Sequence, residues 1–321
     1  MTAPDDLATR IDSAHARISP HVRRTPLEAF PALGERLSAD VRLKSEHLQV
    51  TGSFKARGAL AKLTSLDADV RARGVITASS GNHGLGVANA LSALGGHGVV
   101  CVPRGASPVK VAGIRRLGAE VRTLGDDAGE TEVLALEAAE AEGLTYVSPY
   151  DDLDVISGQG TVGVEIAEQH PDTDTVVVAV GGGGLISGVA TALKHRSRGV
   201  RVIGVSPAND AAMAASVEVG RITTVDAAPT LSDGTAGSVI PDAITFPLCQ
   251  QLVDEWVLVS EDEIRNALRL VIDEHHQLVE GAAAAAVAGA IKLGDALAGR
   301  NVAIVSCGAN IAAATLAAAL T

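Results

Sequence analysis

Short apolar runs alternate with longer amphipathic segments along most of this chain. The runs predict strands at 41–46, 74–78, 99–103, 120–124, 145–147, 175–180, 200–205, 256–259 and 301–305. The amphipathic segments predict helices at 82–94, 108–117, 129–142 and 157–168, and others that begin near 53, 185, 261, 281 and 310. Between 206 and about 247 the chain is polar and no element is predicted. Strands that alternate with helices indicate an α/β fold with parallel sheets.

Composition adds expectations about size, core and partners. The chain has 321 residues, enough for two domains and a large buried core. Hydrophobic residues make up 47% of it but aromatic residues only 2%, so the core must be aliphatic. The formal net charge of −12 argues against nucleic acid and anionic membranes as partners, because both recruit basic surfaces.

The cysteines and the N-terminal segment bear on location. Cys101, Cys249 and Cys307 are few, odd in number and without CxxC spacing, which predicts neither a disulfide framework nor a zinc site. Residues 1–19 are charged and contain no continuous apolar run, so no signal peptide is expected. The longest apolar stretches are shorter than a membrane span. We therefore expect a cytoplasmic protein.

A lysine opens the helix that follows the strand at 41–46. In Thr51-Gly52-Ser53-Phe54-Lys55-Ala56-Arg57-Gly58, Ser53 is predicted to cap the helix and Lys55 to lie just inside it. The helix dipole and partial burial both disfavour the charged amine and lower its pKa. A neutral amine can form an imine with an aldehyde. The alternative is a solvated lysine on an amphipathic helix.

Three polar or glycine-rich turns each follow a predicted strand and precede a helix. They are Ser79-Ser80-Gly81-Asn82-His83-Gly84, Gly181-Gly182-Gly183-Gly184-Leu185 and Ser306-Cys307-Gly308-Ala309-Asn310. Parallel α/β sheets bind their ligands at such turns. We call residues 79–83 the serine turn and residues 181–184 the glycine loop.

The glycine loop is typical of a phosphate site. Its backbone N–H groups can approach an anion, and the following helix adds its positive end. A dinucleotide site is disfavoured, because Ile186 stands where the GxGxxG pattern needs glycine and Ser206-Pro207 where an acid would bind the ribose. A purely structural glycine turn is the remaining alternative.

Together these motifs resemble those of the fold-type II pyridoxal-phosphate enzymes, in the branch of serine/threonine dehydratases and serine racemases. The resemblance runs from about Thr25 to Asn310, with the motifs in the family's order. It implies two doubly wound parallel-type sheets, one in a small domain at 74–151 and one in a large domain formed by 1–73 and 152–321. It also implies pyridoxal 5'-phosphate as the cofactor and an amino acid as the substrate. We further expect a homodimer.

The resemblance also implies roles for the motif residues. Lys55 would hold the cofactor, with Phe54 beside it and the phosphate at the glycine loop and Leu185. Asn82 would face the ring hydroxyl, and Cys307 the ring nitrogen. The substrate carboxylate would bind to the serine turn, which comprises Ser79, Ser80, Gly81, Asn82 and His83. The alternatives are a simple helix-capping turn at 79–83 and a buried structural cysteine at 307.

Ser80 leaves two reactions open. In racemases of the family the matching serine is a second acid/base on the face opposite the lysine, whereas plain dehydratases often have a residue there that cannot exchange a proton. A thiol at Cys307 is a weak hydrogen-bonding partner for the ring nitrogen, which favours loss of a β-leaving group over transamination.

We therefore expect a dehydratase that converts a β-hydroxy-α-amino acid, with L-threonine or L-serine as default substrates, to a 2-keto acid and ammonia. The alternatives are an amino-acid racemase that uses Lys55 and Ser80 and, in a different class, a cofactor-binding protein without turnover.

Two further comparisons with the family pattern refine this expectation. Glu280-Gly281-Ala282 resembles a family segment near the cofactor, although a solvated glutamate at a helix start is equally compatible. Metal-dependent relatives have carboxylates where this chain has Ser206 and Ala212, so no metal site is predicted. The chain ends soon after Asn310, so no C-terminal regulatory domain is expected.

Overall fold

Two sheets organise this chain in the computed structural model, which describes residues 4–197 and 199–321. The strands are β1 (Leu27–Ala29), β2 (Asp40–Ser45), β3 (Val75–Ala78), β4 (Gly98–Val102), β5 (Glu120–Thr123), β6 (Thr145–Tyr146), β7 (Thr175–Ala179), β8 (Arg201–Pro207), β9 (Glu255–Val259) and β10 (Asn301–Ser306). One sheet has the order β1-β2-β10-β7-β8-β9 and the other β5-β4-β3-β6. Only β1 pairs antiparallel among the described strands. The predicted α/β class with two parallel-type sheets is confirmed.

Helices connect these strands. They are α1 (Pro4–Ile18), α2 (Pro31–Leu37), α3 (Lys55–Ser65), α4 (Ala68–Arg73), α5 (Asn82–Leu94), α6 (Pro108–Arg116), α7 (Ala128–Glu142), α8 (Leu153–Gln169), α9 (Gly184–Arg196), α10 (Ala212–Val219), α11 (Thr245–Leu252), α12 (Glu261–His275), α13 (Gly281–Leu293) and α14 (Ala313–Leu320). Short 3-10 helices occupy Glu46–Leu48, Asp233–Thr235 and Gly294–Leu297. In the described part of the chain, no helix has both the length and the apolar character to cross a membrane.

The six-stranded sheet has both faces covered. Every residue of β7 is buried, so its sequence is continuously apolar or small rather than alternating. Helix α8 packs very closely on its neighbours through glycines. A Cβ atom on Gly158 would lie 2.5 Å from the carbonyl oxygen of Arg57, and one on Gly188 would lie 2.5 Å from the nitrogen of Gly160. The predicted aliphatic core is confirmed, since Phe30 is the one aromatic side chain fully buried among the described residues.

A buried ion cluster lies beneath the start of α3. Arg57 donates to both carboxylate oxygens of Glu46 at 2.8 Å and to Glu165 at 2.7 and 3.0 Å. Lys44 donates to Glu165 at 2.6 Å and to the carbonyl of Thr25 at 2.7 Å. The charges of the two cations and the two carboxylates balance. Burial acts to raise the pKa of Glu46, but the Arg57 guanidinium keeps that pKa below its usual value. Paired in this way, the charges tie α3 to β2 and α8.

The four-stranded sheet is built entirely from strands between 75 and 146. Its helices α5, α6 and α7 come from the same stretch. We propose on this basis that residues 74–151 form the inserted small domain and that 1–73 and 152–321 form the large one.

Several local predictions were wrong. Helix α8 begins at Leu153 rather than 157, because Asp152 accepts hydrogen bonds from the N–H groups of Asp154 and Val155 and caps it. The region predicted to lack elements contains α10 and the first residues of α11. Ser53 does not cap α3, whose cap position is Phe54. Ser53 instead forms a bridge with Gly308, and its buried hydroxyl has no partner in the described residues.

Candidate active site

One large cavity, of about 2100 Å³, opens where strands of both sheets end. Its walls include the turns that follow β3, β6, β7 and β10 and the start of α3. Carboxyl ends of parallel strands are the expected ligand position in such folds. The structure brings every predicted site residue to this cavity: Phe54, Lys55, Ser79, Ser80, Gly81, Asn82, His83, Gly181, Gly182, Gly183, Gly184, Leu185 and Cys307.

Lys55 is the first residue of α3 and is half-buried. Its Nζ atom donates to the carbonyl oxygen of Pro149 at 2.7 Å and lies 5.2 Å from the centre of the Phe54 ring. Burial lowers the pKa of Lys55 from 10.5 to about 8, although Cys307 and Glu280 act in the opposite direction. About a tenth of this amine is therefore uncharged and nucleophilic at pH 7, far more than of an ordinary lysine.

The glycine loop leads directly into α9. Gly183 has φ +86° and occupies the cap position, and α9 begins at Gly184. A Cβ atom on Gly181 would lie 2.6 Å from the carbonyl oxygen of Thr235, and one on Gly182 would lie 2.4 Å from the Tyr150 ring. Any side chain would collide, so the loop exposes only backbone to the cavity. Backbone N–H groups at a helix N-terminus form an anion site.

The serine turn leads into α5 in the same way. Ser79 Oγ accepts from the N–H of Gly81 at 3.2 Å, which fixes the turn. Ser80 is half-buried at the cavity wall, and no side-chain hydrogen bond engages its hydroxyl within the described residues. The ring of His83 is buried, with Nε2 3.0 Å from the carbonyl oxygen of Val147, and burial lowers its pKa to about 3. His83 is therefore neutral, and its ring nitrogen Nε2 is held by the backbone.

Asn82 belongs to a hydrogen-bonded cluster that joins the two sheets' loops. Its Nδ2 donates to both oxygens of Glu280 at 2.9 and 3.0 Å, and its Oδ1 accepts from Asn310 Nδ2 at 2.6 Å. Glu280 also accepts from the Asn310 N–H at 3.0 Å. Cys307 is buried, with Sγ 3.9 Å from Glu280 Oε1, and burial keeps its pKa well above the usual value. The thiol beside Lys55 is therefore protonated.

The sequence did not identify every group around the cavity. Glu280 is recognisable in the sequence only through the family resemblance, and the structure shows it buried rather than solvated. Asn310 ends the third polar turn but no role follows from its place there, Pro149 has no local signal, and Tyr150 has none beyond its place after a strand. Lys110 Nζ lies 3.5 Å from Asp233 Oδ2, linking α6 to the far wall of the cavity.

The sequence of this chain is similar to those of known proteins. Residues 18–308 match the sequence profile of a family described as pyridoxal-phosphate dependent enzymes. The chain belongs to this family. It is 41% identical over 311 residues to the catabolic L-threonine dehydratase TdcB of Escherichia coli strain K12, a match that covers 95% of this chain and 94% of that protein.

Solved structures of family members are also similar. The processed form of threonine deaminase isoform 2 from Solanum lycopersicum gives a TM-score of 0.94 at 35% identity, covering 99% of this chain and 93% of that one. Maize serine racemase gives a TM-score of 0.92 at 31% identity, covering 98% and 96%. The predicted membership of this family and its pyridoxal-phosphate cofactor are thereby confirmed.

Two observations show that the cavity fits this cofactor. The Lys55 amine, with its lowered pKa, suits the aldehyde, and the glycine loop at the start of α9 suits the phosphate.

The positions at which the family pattern has metal-binding carboxylates are Ser206 and Ala212 in this chain. Ser206 Oγ donates to the carbonyl oxygen of Val180 at 3.1 Å, and Asp210 accepts from the N–H of Gly237 at 2.8 Å. No group of His, Cys, Asp or Glu side chains in residues 4–197 and 199–321 is arranged to hold a metal ion.

Proposed function

We propose that this enzyme is a dehydratase (ammonia-lyase) that converts L-threonine or L-serine to the 2-keto acid and ammonia. The observation that carries the proposal is the Lys55 amine, with its pKa of about 8, held by Pro149 in the cavity that also contains the glycine loop and serine turn. The full-length similarity to dehydratases that act on L-threonine supports the choice of substrate.

The site residues divide the work of this reaction. The glycine loop and Leu185 would bind the phosphate and Asn82 and Cys307 would border the ring, since all of them line the cavity, and Phe54 packs beside Lys55. The N–H groups of the serine turn bind the substrate carboxylate at the start of α5. Pyridoxal phosphate, once bound, supplies an electron sink for the charge left when the α-proton is removed. Lys55 would take that proton and return it to the departing β-hydroxyl, which would leave as water, and a second water would hydrolyse the released enamine to the 2-keto acid and ammonia.

Racemisation is the second candidate activity. Ser80 reaches the same cavity as Lys55, and its hydroxyl is not engaged by another described side chain. Such a hydroxyl is available to return a proton to the substrate. The similarity to maize serine racemase supports keeping this activity open.

The assembly and location of the enzyme are part of the proposal. A homodimer is supported by α14, which has no charged side chain and leaves most of its alanines exposed. Three unpaired, buried cysteines fit a reducing cytoplasm. Sedimentation analysis of the purified enzyme tests the first point, and cell fractionation tests the second.

A substrate panel tests the activity. Purified enzyme with pyridoxal phosphate is supplied with both enantiomers of serine, threonine and 3-hydroxyaspartate. Keto acid, ammonia and the opposite enantiomer are measured separately. We expect keto acid and ammonia in equal amounts, fastest from an L-β-hydroxy amino acid. Formation of mainly the opposite enantiomer replaces the dehydratase with the racemase, and no turnover with any substrate overturns both.

A further inference from the structure

The chain crosses from the four-stranded sheet to α8 through residues 148–152, which form part of the cavity wall. This crossing segment contacts several parts of the site at once. Pro149 accepts the hydrogen bond from Lys55, and Asp152 forms an ion pair with Lys62 of α3 at 2.6 Å. Ser148 Oγ accepts from the N–H of Asp151 at 3.0 Å, which stabilises the turn. The segment is therefore fixed relative to the reactive lysine.

Tyr150 presents one face of its ring to the glycine loop. A Cβ atom on Gly182 would fall 2.4 to 2.6 Å from three of its ring atoms, and one on Gly184 would fall 3.0 Å from its Cα. Tyr150 thus occupies the volume that side chains at positions 182 and 184 would need. Because aromatic rings are rigid, contact of this kind fixes the position of the loop backbone.

The other end of the Tyr150 side chain holds a different wall. Its hydroxyl accepts a hydrogen bond from the N–H of Ile240 at 3.0 Å, and Asp151 Oδ1 accepts one from the N–H of Ile244 at 2.7 Å. Residues 236–243, which include Ile240 and end just before Ile244, line the cavity. We call this stretch the wall segment. Burial raises the pKa of Tyr150 to about 12, so the hydroxyl stays protonated at any working pH.

We propose that Tyr150 is a positioning residue that sets the distance between the glycine loop and the wall segment, and so limits the size of the substrate's β-substituent. The inference rests on the proposed function, in which the cavity receives a β-hydroxy amino acid. With the phosphate fixed at the loop, the space left for the β-substituent depends on where the wall segment stands. The rigid Tyr150 side chain spans that interval, with its ring at one end and its hydrogen bond at the other, while Asp210 holds the start of the wall segment through the N–H of Gly237.

The chain offers a matched pair of variants, because it contains only two tyrosines. Tyr150→Phe keeps the ring against the glycine loop and releases the N–H of Ile240. Tyr146→Phe is the control, since it removes a hydroxyl that donates to Glu132 at 3.0 Å and has no bond to the wall segment. Tyr150→Leu removes the ring as well.

The measurements are kcat and KM for L-serine, L-threonine and L-threo-β-phenylserine, together with the dissociation constant of pyridoxal phosphate by absorbance titration. For Tyr150→Phe we expect kcat/KM for phenylserine relative to serine to rise by about two- to tenfold, mainly through KM, because one hydrogen bond is lost. Cofactor affinity should change little in this variant. For Tyr150→Leu it should fall by tenfold or more.

A selectivity ratio unchanged in Tyr150→Phe, or changed equally in Tyr146→Phe, overturns the inference. So does undiminished cofactor affinity in Tyr150→Leu. If the wild type forms no keto acid from any substrate, the proposed function fails separately. The selectivity is then measured as amino-acid dissociation constants from the change in cofactor absorbance, and the same ratios decide the role of Tyr150.

Discussion

The carboxylate of Glu280 accepts hydrogen bonds from the side-chain nitrogen of Asn82 at 2.9 and 3.0 Å, although the two residues are 198 positions apart. Asn82 starts α5 beside the four-stranded sheet, and Glu280 occupies the cap position of α13 beside the six-stranded one. Burial raises the pKa of Glu280, while its bonds to Asn82 and the N–H of Asn310 oppose that rise. This pair therefore fixes the orientation of the Asn82 amide at the cavity.

Replacing Glu280 with glutamine should disturb the site more than the fold. The glutamine side chain offers one oxygen and one donor nitrogen where two acceptor oxygens now stand, so the Asn82 amide loses a charge-assisted partner. Such bonds are worth about 1.5–3 kcal/mol. We expect kcat/KM to fall by about 10- to 100-fold, with a smaller change in melting temperature. Asp233→Asn is the control, because its exposed pair with Lys110 also joins the two sides and should matter little.

The lowered pKa of Lys55 predicts how cofactor capture depends on pH. Apoenzyme is mixed with pyridoxal phosphate, trapped with borohydride and mapped by peptide mass analysis, with the capture rate divided by that of a free lysine derivative. Below about pH 8 both amines gain reactivity equally with pH, so this ratio should be constant. Above about pH 8 Lys55 is mostly neutral while the free amine keeps deprotonating up to about pH 10.5, so the ratio should fall.

The adduct should map to Lys55. Lys44 is occupied by Glu165 and the carbonyl of Thr25, and ion pairs with Asp152 and Asp154 raise the pKa of Lys62 against burial. An adduct on Lys44, Lys62 or Lys110, or a ratio that stays constant up to pH 10, contradicts the assignment.

The buried cluster around Arg57 predicts a large loss of stability on truncation. Arg57→Leu leaves the carboxylates of Glu46 and Glu165 with Lys44 as their only cation in the cluster. Breaking a buried ion pair by removing one partner costs about 3–5 kcal/mol. We expect the free energy of unfolding in urea to fall by about that amount. Arg42→Leu is the control, since its partly exposed pair with Asp40 should contribute under about 1 kcal/mol.

Acidification provides a check on the cause. In the wild type the pKa of Glu46 is lowered by Arg57, so the stability it contributes is present above its unfolded pKa and is lost as pH falls. In Arg57→Leu the Glu46 carboxylate has lost this cation, so its protonation removes a poorly paired buried charge. The difference in free energy of unfolding between variant and wild type should therefore shrink as the pH falls toward 5. Equal losses in Arg57→Leu and Arg42→Leu at neutral pH would contradict this account.

Local signals predicted every strand but β1 and every helix of nine or more residues except α1, whereas contacts between distant parts of the sequence could not be predicted in the same way. Helix α5 was predicted with its observed bounds, because a polar turn starts it and a glycine ends it. Helices α2, α4, α10 and α11 were not predicted because none is longer than eight residues, and helical periodicity is recognised only over a window of about 11–18 residues. Ser53 has the chemistry of a cap, but its bridge to Gly308 keeps it outside the helix.

The site shows the same division between local and distant information. Lys55, the serine turn and the glycine loop are recognisable because each is a short motif at the end of a strand. The burial of Glu280 depends on Asn82 and Asn310, and the place of Tyr150 depends on Gly182 and Ile240. A glutamate before a helix and a tyrosine after a strand are compatible with either a solvated or a buried position, so only the fold decides.

Divalent metal should not be required for activity. The side chains at the expected ligand positions are Ser206, whose hydroxyl donates to Val180, and Ala212, which offers no oxygen. Hard cations need several oxygen ligands. We expect exhaustive chelation to leave turnover of L-threonine and the melting temperature nearly unchanged. A large loss that is restored by Mg²⁺ or Ca²⁺, but not by monovalent salt, would show that other residues form a metal site.

Ser80 should separate elimination from racemisation. Lys55 removes the α-proton from one face of the substrate, and loss of the β-hydroxyl needs no donor on the other face. Inversion does need such a donor, and Ser80 is the motif residue whose unengaged hydroxyl reaches the same cavity. Ser80→Ala should therefore abolish racemisation, retain deamination of L-substrates and greatly slow turnover of D-substrates. Loss of one general acid/base typically costs about 10²–10⁴-fold, which an enantiomer-resolved assay detects.

The matched control for Ser80→Ala is Ser79→Ala, in the same turn. Ser79 Oγ accepts from the N–H of Gly81, so this change should weaken the turn and lower both activities together. A selective loss of racemisation in Ser80→Ala alone identifies the second proton donor. If Ser80→Ala instead lowers deamination and racemisation of L-serine equally, Ser80 only shapes the carboxylate site. The proton for any inversion must then come from another group in the cavity.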